Sequence, residues 1–178
     1  MLDRADEMMR EAANRFAARL QENMGLTMPA ILRHAATATI LATVLAVVAT
    51  ALLRDVVMVG ITALFGAITV ASFWRLLQRY SRDADRDWSS DLARDYMVRA
   101  IGATEGQRRI RELGLVFALI ALSLSIAVIQ FRPFDLVDLT MIALVISTMA
   151  HMYLSCAEPR PPGTGRREAR LALAGGPR

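Results

Sequence analysis

Lysine is missing from this 178-residue chain, and all 21 basic residues are arginine. An Arg-for-Lys exchange at exposed sites changes little physically, so we read the bias as that of a GC-rich, bacterial coding sequence. Cysteine is nearly missing too. The single Cys156 excludes an internal disulfide and a CxxC redox pair. Aromatic residues make up 6% of the chain and histidines number two. No phosphate-cradling Gly-rich loop, HExxH or GxSxG pattern occurs. Residues 1–24 are charged throughout and hold no apolar stretch of signal-peptide length, so no cleaved leader is expected.

What is abundant is apolar surface. Apolar residues reach 54% of the chain, and the mean hydropathy is +0.35. The excess sits in four runs: Ala36–Leu53, Val56–Trp74, Leu113–Phe131 and Leu136–Cys156. Each is long enough to cross about 30 Å of hydrocarbon as a helix. The middle of every run lacks Asp, Glu and Arg, and such intramembrane charges mark proton relays and ion pathways. That argues against a proton-coupled pump. Only Arg54 and Asp55 separate the first two runs, and Arg132 to Asp135, with helix-breaking Pro133, separate the last two. Each pair is therefore expected to form an antiparallel hairpin. Small residues repeat every fourth position (Ala38, Ala42 and Ala46; Ala63, Ala67 and Ala71, with Gly60 and Gly66 nearby) and are expected to form the hairpin seam.

The polar stretches are expected to be helical as well. Over residues 3–24, Ala5, Met9, Ala12, Phe16 and Leu20 recur at three- and four-residue steps, predicting one buried stripe. The opposite face mixes Arg4, Arg10, Arg15 and Arg19 with Asp3, Asp6, Glu7, Glu11 and Glu22. A lipid-surface helix carries a clearly basic polar face, so packing against protein is the better reading. Gly25 and Pro29 break the pattern.

Between the hairpins, Asp83, Asp85, Asp87 and Asp91 match positions of a calcium loop. The site fails where that loop needs Gly and a bidentate Glu, because Trp88 and Arg94 stand there. The spacing instead predicts a helix from Asp83 to Ala103. Asp83, Asp87, Asp91 and Asp95 would form an acidic ridge paired with Arg79, Arg86, Arg94 and Arg99. Trp88, Leu92, Tyr96 and Ala100 would form a stripe packed on the N-terminal helix.

Arginine counts set an orientation. The segment before the first run holds five, the connector Arg75–Glu112 nine and the segment after Cys156 five, while each hairpin turn holds one. The positive-inside rule then places both termini and the connector in the cytoplasm. Trp74, Tyr80 and Tyr153 fall at the expected interface. The pairs Arg33/Arg54 and Arg111/Arg132 are each 21 residues apart, offset by 78, which suggests a two-fold repeat of one architectural unit.

The expected fold is all-α: a polytopic protein of a bacterial inner membrane, with four transmembrane helices in two hairpins plus two amphipathic cytoplasmic helices. Its parts are 1–33 (amphipathic helix and lead-in), 34–74 (first hairpin), 75–112 (connector), 113–156 (second hairpin) and 157–178 (disordered tail). No catalytic, cofactor or metal site is predicted, because His34, His151 and Cys156 lack a ligand pattern. Nor is nucleic acid an expected partner, since the membrane already accounts for the basic balance. The bilayer is one expected partner, and a protein partner or a second copy is the other. Trp88, Leu92, Asp95, Tyr96, Arg99 and Phe16 are the candidate partner-binding residues. The function expected is an accessory or scaffold subunit, and the alternative is a homo-oligomeric channel or pore-forming effector. A redox carrier using the two histidines and Cys156 ranks last.

Overall fold

The computed structural model describes residues 2–52, 56–129, 135–160 and 162. The turn at Arg54 and Asp55, most of the turn from Arg132 and nearly all of the tail beyond Arg160 lie outside the described residues. Within them are six helices and no strand: α1 (Leu2–Met24), α2 (Met28–Leu52), α3 (Val56–Ala84), α4 (Ser90–Gly106), α5 (Arg108–Ile129) and α6 (Leu136–Leu154). Among the described residues, α2, α3 and α6 are long and apolar enough to cross a membrane. The expected third span lies on α5, and its last two residues are outside the described ones.

Helix α2 is the centre of the fold. It packs along α3 on one side and α6 on another, while α5 joins through α6 and α1. Its buried face combines Ala36, Ala42, Ala46 and Ala49 with Thr39, Thr43 and Thr50. The threonines reach that face without exposing a polar group. Thr39, Thr43 and Thr50 donate to the carbonyls four residues earlier, at 3.1, 2.7 and 2.8 Å.

The seam differs from the alanine ridges expected. Ala38, Ala67 and Ala71 are exposed, whereas Thr62 and Gly66 of α3 are buried. A Cβ on Gly66 would stand 2.9 Å from Val47 Cγ2 and 3.4 Å from Thr43 Cγ2, so the missing side chain sets how closely α2 and α3 approach. Gly60 meets nothing within 4 Å.

Pro29 begins a helix rather than breaking one. It occupies the first turn of α2, where its missing N–H is no loss. The break lies at Gly25, whose φ of 65° turns the chain so that Leu26 N bonds back to Leu20 O at 3.5 Å. Helix α3 continues ten residues past the expected end of its span at Trp74, because nothing from Arg75 to Ala84 interrupts it. The connector helix accordingly starts later than expected, at Ser90. Ser89 caps it by accepting from Leu92 N at 3.3 Å. Two of the four ridge aspartates thus leave that helix: Asp83 ends up on α3 and Asp87 in the link. Asp135 caps α6 in a capping box with Asp138.

The largest correction concerns α1. Its buried face is Asp6, Ala13, Ala17 and Gln21, not the stripe Ala5, Met9, Ala12, Phe16 and Leu20. Phe16 is 53% exposed, and Met9 is also exposed. Two small alanines let α1 lie close on α6, α5 and α2, while Met9 and Phe16 point away and Leu20 alone of the expected stripe's large residues packs partly against the core. Helix α4 has α5, rather than α1, as its main neighbour. Tyr80 and Tyr153, expected at the lipid interface, are buried in the protein core with Met28, Ile31, Leu32 and Met149, while Trp74 is exposed.

Candidate functional site

The polar end of the helices, where α1 and α4 lie, holds the groups with chemistry. Arg111 stands at its centre and is 1% exposed. Its Nε and Nη2 donate to the two carboxylate oxygens of Asp6 at 3.0 and 3.2 Å, a bidentate pair. Nη1 also donates to Ala103 O at 2.7 Å and Nη2 to Thr104 O at 2.9 Å, so the guanidinium holds the last-turn carbonyls of α4. Tyr153 donates its hydroxyl to Asp6 Oδ1 at 2.9 Å. Arg10 Nε is 3.3 Å from Asp6 Oδ2, close enough for an ion pair but without hydrogen-bond geometry. Arg111 and Asp6 together therefore tie α1, α4, α5 and α6. Burial pushes the Asp6 carboxyl up, but the bonds from Arg111 and Tyr153 and the two positive charges outweigh it and hold it below its ordinary 3.8. Asp6 holds the Arg111 guanidinium above its own ordinary range.

A second polar node joins α3 to α4. Tyr96, 3% exposed, donates to Asp83 Oδ2 at 2.9 Å. Arg99 Nη1 lies 3.5 Å from the same oxygen, and its guanidinium sits 4.8 Å from the Tyr96 ring centroid. Burial, and then the bond to Asp83, push the Tyr96 phenol well above its ordinary value. Trp88 stacks obliquely on Tyr96 at 6.1 Å and donates its indole N–H to Arg160 O at 3.0 Å. Residues 157–160, expected in a disordered tail, are packed here. Ala157 is buried, Arg160 N bonds Gln21 Oε1 at 3.1 Å, and the Arg160 guanidinium pairs with Glu22.

The structure brings four of the six candidate partner residues, Trp88, Leu92, Tyr96 and Arg99, toward the protein interior. Leu92 packs partly buried against the core. Asp95 and Phe16 are exposed, on different helices. Sequence reasoning missed Arg111 and Asp6, because charged residues near a membrane read as surface and as orientation markers. The one available signal was Asp6 standing in step with Ala13 and Ala17.

Beside the second node, between α2, α3, α4 and α6, is a cleft of about 390 Å³. Met28, Leu32, Phe73, Leu76 and Met152 supply its apolar lining, and Arg79, Tyr80, Arg99, Gln107 and His151 its polar one. His151 meets Phe73 edge-on, with ring centroids 4.8 Å apart. Its Nε2 is buried with no hydrogen-bond partner. His34 is exposed, and Cys156 is a buried free thiol within 3.5 Å of Arg111 Nη1. Among the described residues, no three His, Cys, Asp or Glu side chains lie close enough to share a metal ion. No protein-family model, curated protein or solved structure matches the chain.

Proposed function

We propose that this chain is an accessory or scaffold subunit of a bacterial inner membrane. It crosses the bilayer four times and presents its polar end to a protein partner in the cytoplasm. The observation that carries this reading is the exposed stripe on α1. Leu2 and Met9 are 40% exposed and Phe16 is 53% exposed, and with Ala5 and Ala12 they keep the alternating three- and four-residue step of a helix–helix seam. The charges around this stripe are balanced, so a helix of a partner covers it better than anionic lipid does. Exposed Val98 and Ile101 of α4 add apolar surface at the same end. Asp6, Arg111 and Tyr153 lock α1 from behind, which makes the stripe a rigid platform and lowers the ordering entropy lost on binding. The arginine distribution supports four spans and a cytoplasmic polar end.

The second reading is a homo-oligomeric pore. It is favoured by charge-free spans and by α5, whose main contact with the other spans among the described residues is α6. The mass of the complex purified in mild detergent separates the two. A single copy with a stoichiometric partner that Phe16→Asp and Met9→Asp release, helix content unchanged, supports the subunit. A closed homo-oligomer that conducts ions in liposomes overturns it in favour of the pore.

A further inference from the structure

The cleft between α2, α3, α4 and α6 is built for an occupant of two chemistries. Along α3 its wall runs from Phe73 and Leu76 to Arg79, about 9 Å at 1.5 Å per residue, so it passes from apolar to basic toward the polar end. Among the described residues, no carboxylate lines it. The charge of Arg99 is shared with Asp83 at 3.5 Å and Asp95 at 4.0 Å. Among the described residues, Arg79 has no carboxylate within ion-pair distance. A basic group left over at the mouth of an apolar cleft favours an anion with an apolar body. The buried wall gives a second, independent sign. His151 is 7% exposed, and its Nε2 finds no partner among the described residues, a state that carries a free-energy penalty unless a ligand or water group completes it.

We propose that this cleft binds a phosphate-bearing amphiphile. The phosphate sits on Arg79, with Arg99 and Gln107 beside it, and the apolar part lies against Phe73, Leu76 and Met28. Guanidinium groups suit this task because their fork matches two phosphate oxygens at once. The source follows from position. The cleft lies at the end of apolar helices, at the level where phospholipid head groups stand. This step rests on the membrane reading and is independent of the partner on α1.

The test uses the full chain, purified in detergent and stripped of lipid. Short-chain phosphatidic acid, the diacylglycerol of the same chain length and inorganic phosphate are titrated in turn, with native mass spectrometry reading occupancy. The expected result is saturable one-to-one binding of phosphatidic acid. Arg79→Gln weakens it about tenfold, the scale of one charge-assisted hydrogen bond. Arg75→Gln, one turn earlier on α3 and outside the cleft, leaves it unchanged. Ala103→Trp, which fills the cleft from α4, abolishes it. Arg79 is exposed and holds no ion pair, so its replacement leaves helix content and elution volume as they were. Inorganic phosphate competing at equal affinity would show that the apolar wall adds nothing, and overturns the amphiphile in favour of a soluble phosphate. Diacylglycerol binding as tightly as phosphatidic acid, or no effect of Arg79→Gln and Ala103→Trp, overturns the proposal.

Discussion

Replacing Asp6 by Asn removes the one carboxylate that pairs with Arg111 among the described residues. The exchange keeps the side chain's size, so the change is one of charge. Arg111 then sits 1% exposed with no counter-charge, and the Tyr153 hydroxyl loses its carboxylate acceptor. Breaking a buried pair by removing one partner typically lowers stability by about 3–5 kcal/mol. Two carbonyls, Ala103 O and Thr104 O, still hold the guanidinium, so we expect the lower end, about 3 kcal/mol. For a chain of this length that corresponds to a fall of about 6–12 °C in thermal midpoint, read by far-UV circular dichroism in detergent. The second arm is the double variant Asp6→Leu with Arg111→Leu. It removes both charges and leaves no uncompensated ion, so it should be more stable than Asp6→Leu alone. A drop below about 2 °C for Asp6→Asn, or a double variant whose loss is the sum of the two single losses, would refute the latch.

Three further outcomes are expected. Because the folded carboxyl of Asp6 is held below its ordinary 3.8, its contribution is complete above that pH and is lost as pH falls through the folded value. The midpoint difference between wild type and Asp6→Asn should therefore be flat from neutral pH to about pH 5 and shrink below about 3.8. Tyr96→Phe leaves Asp83 without its hydroxyl donor and should destabilise by about 1–2 kcal/mol. The Tyr96 phenol ionises above its ordinary 10.0, so this bond's contribution is complete below that pH and is lost as pH rises toward the folded value, and an ultraviolet pH titration of the variant should lack one late-ionising phenol. Gly66→Ala pushes a methyl to 2.9 Å from Val47 Cγ2 and should destabilise the α2–α3 hairpin by about 1–3 kcal/mol. Gly60→Ala, with open space around it and Ala the better helix former, should not lower the midpoint in the same thermal assay.

The sequence by itself determined that the chain is helical and where its apolar runs lie. Long charge-free stretches and three- and four-residue periodicity are local signals, and they survive whatever the tertiary arrangement does. The start of α6 just after Asp135 was legible for the same reason. Which face of α1 is buried was not. Periodicity ranks faces by apolarity, yet a close helix contact selects small residues, so Ala13 and Ala17 went inward and Phe16 outward. The fate of Arg111 was equally hidden. An arginine near a membrane reads as solvated until a carboxylate 105 positions away is brought to it, and only the folding of α1 back across α5 and α6 does that. Trp88 and Tyr96 carried a visible stripe, but the interior claims them because Asp83 and Arg160 arrive from other elements to meet their polar atoms. Local pattern determined the elements. The partners of each polar group were decided in three dimensions, because buried charge and hydroxyl are tolerated only where distant parts of the chain complete their bonds.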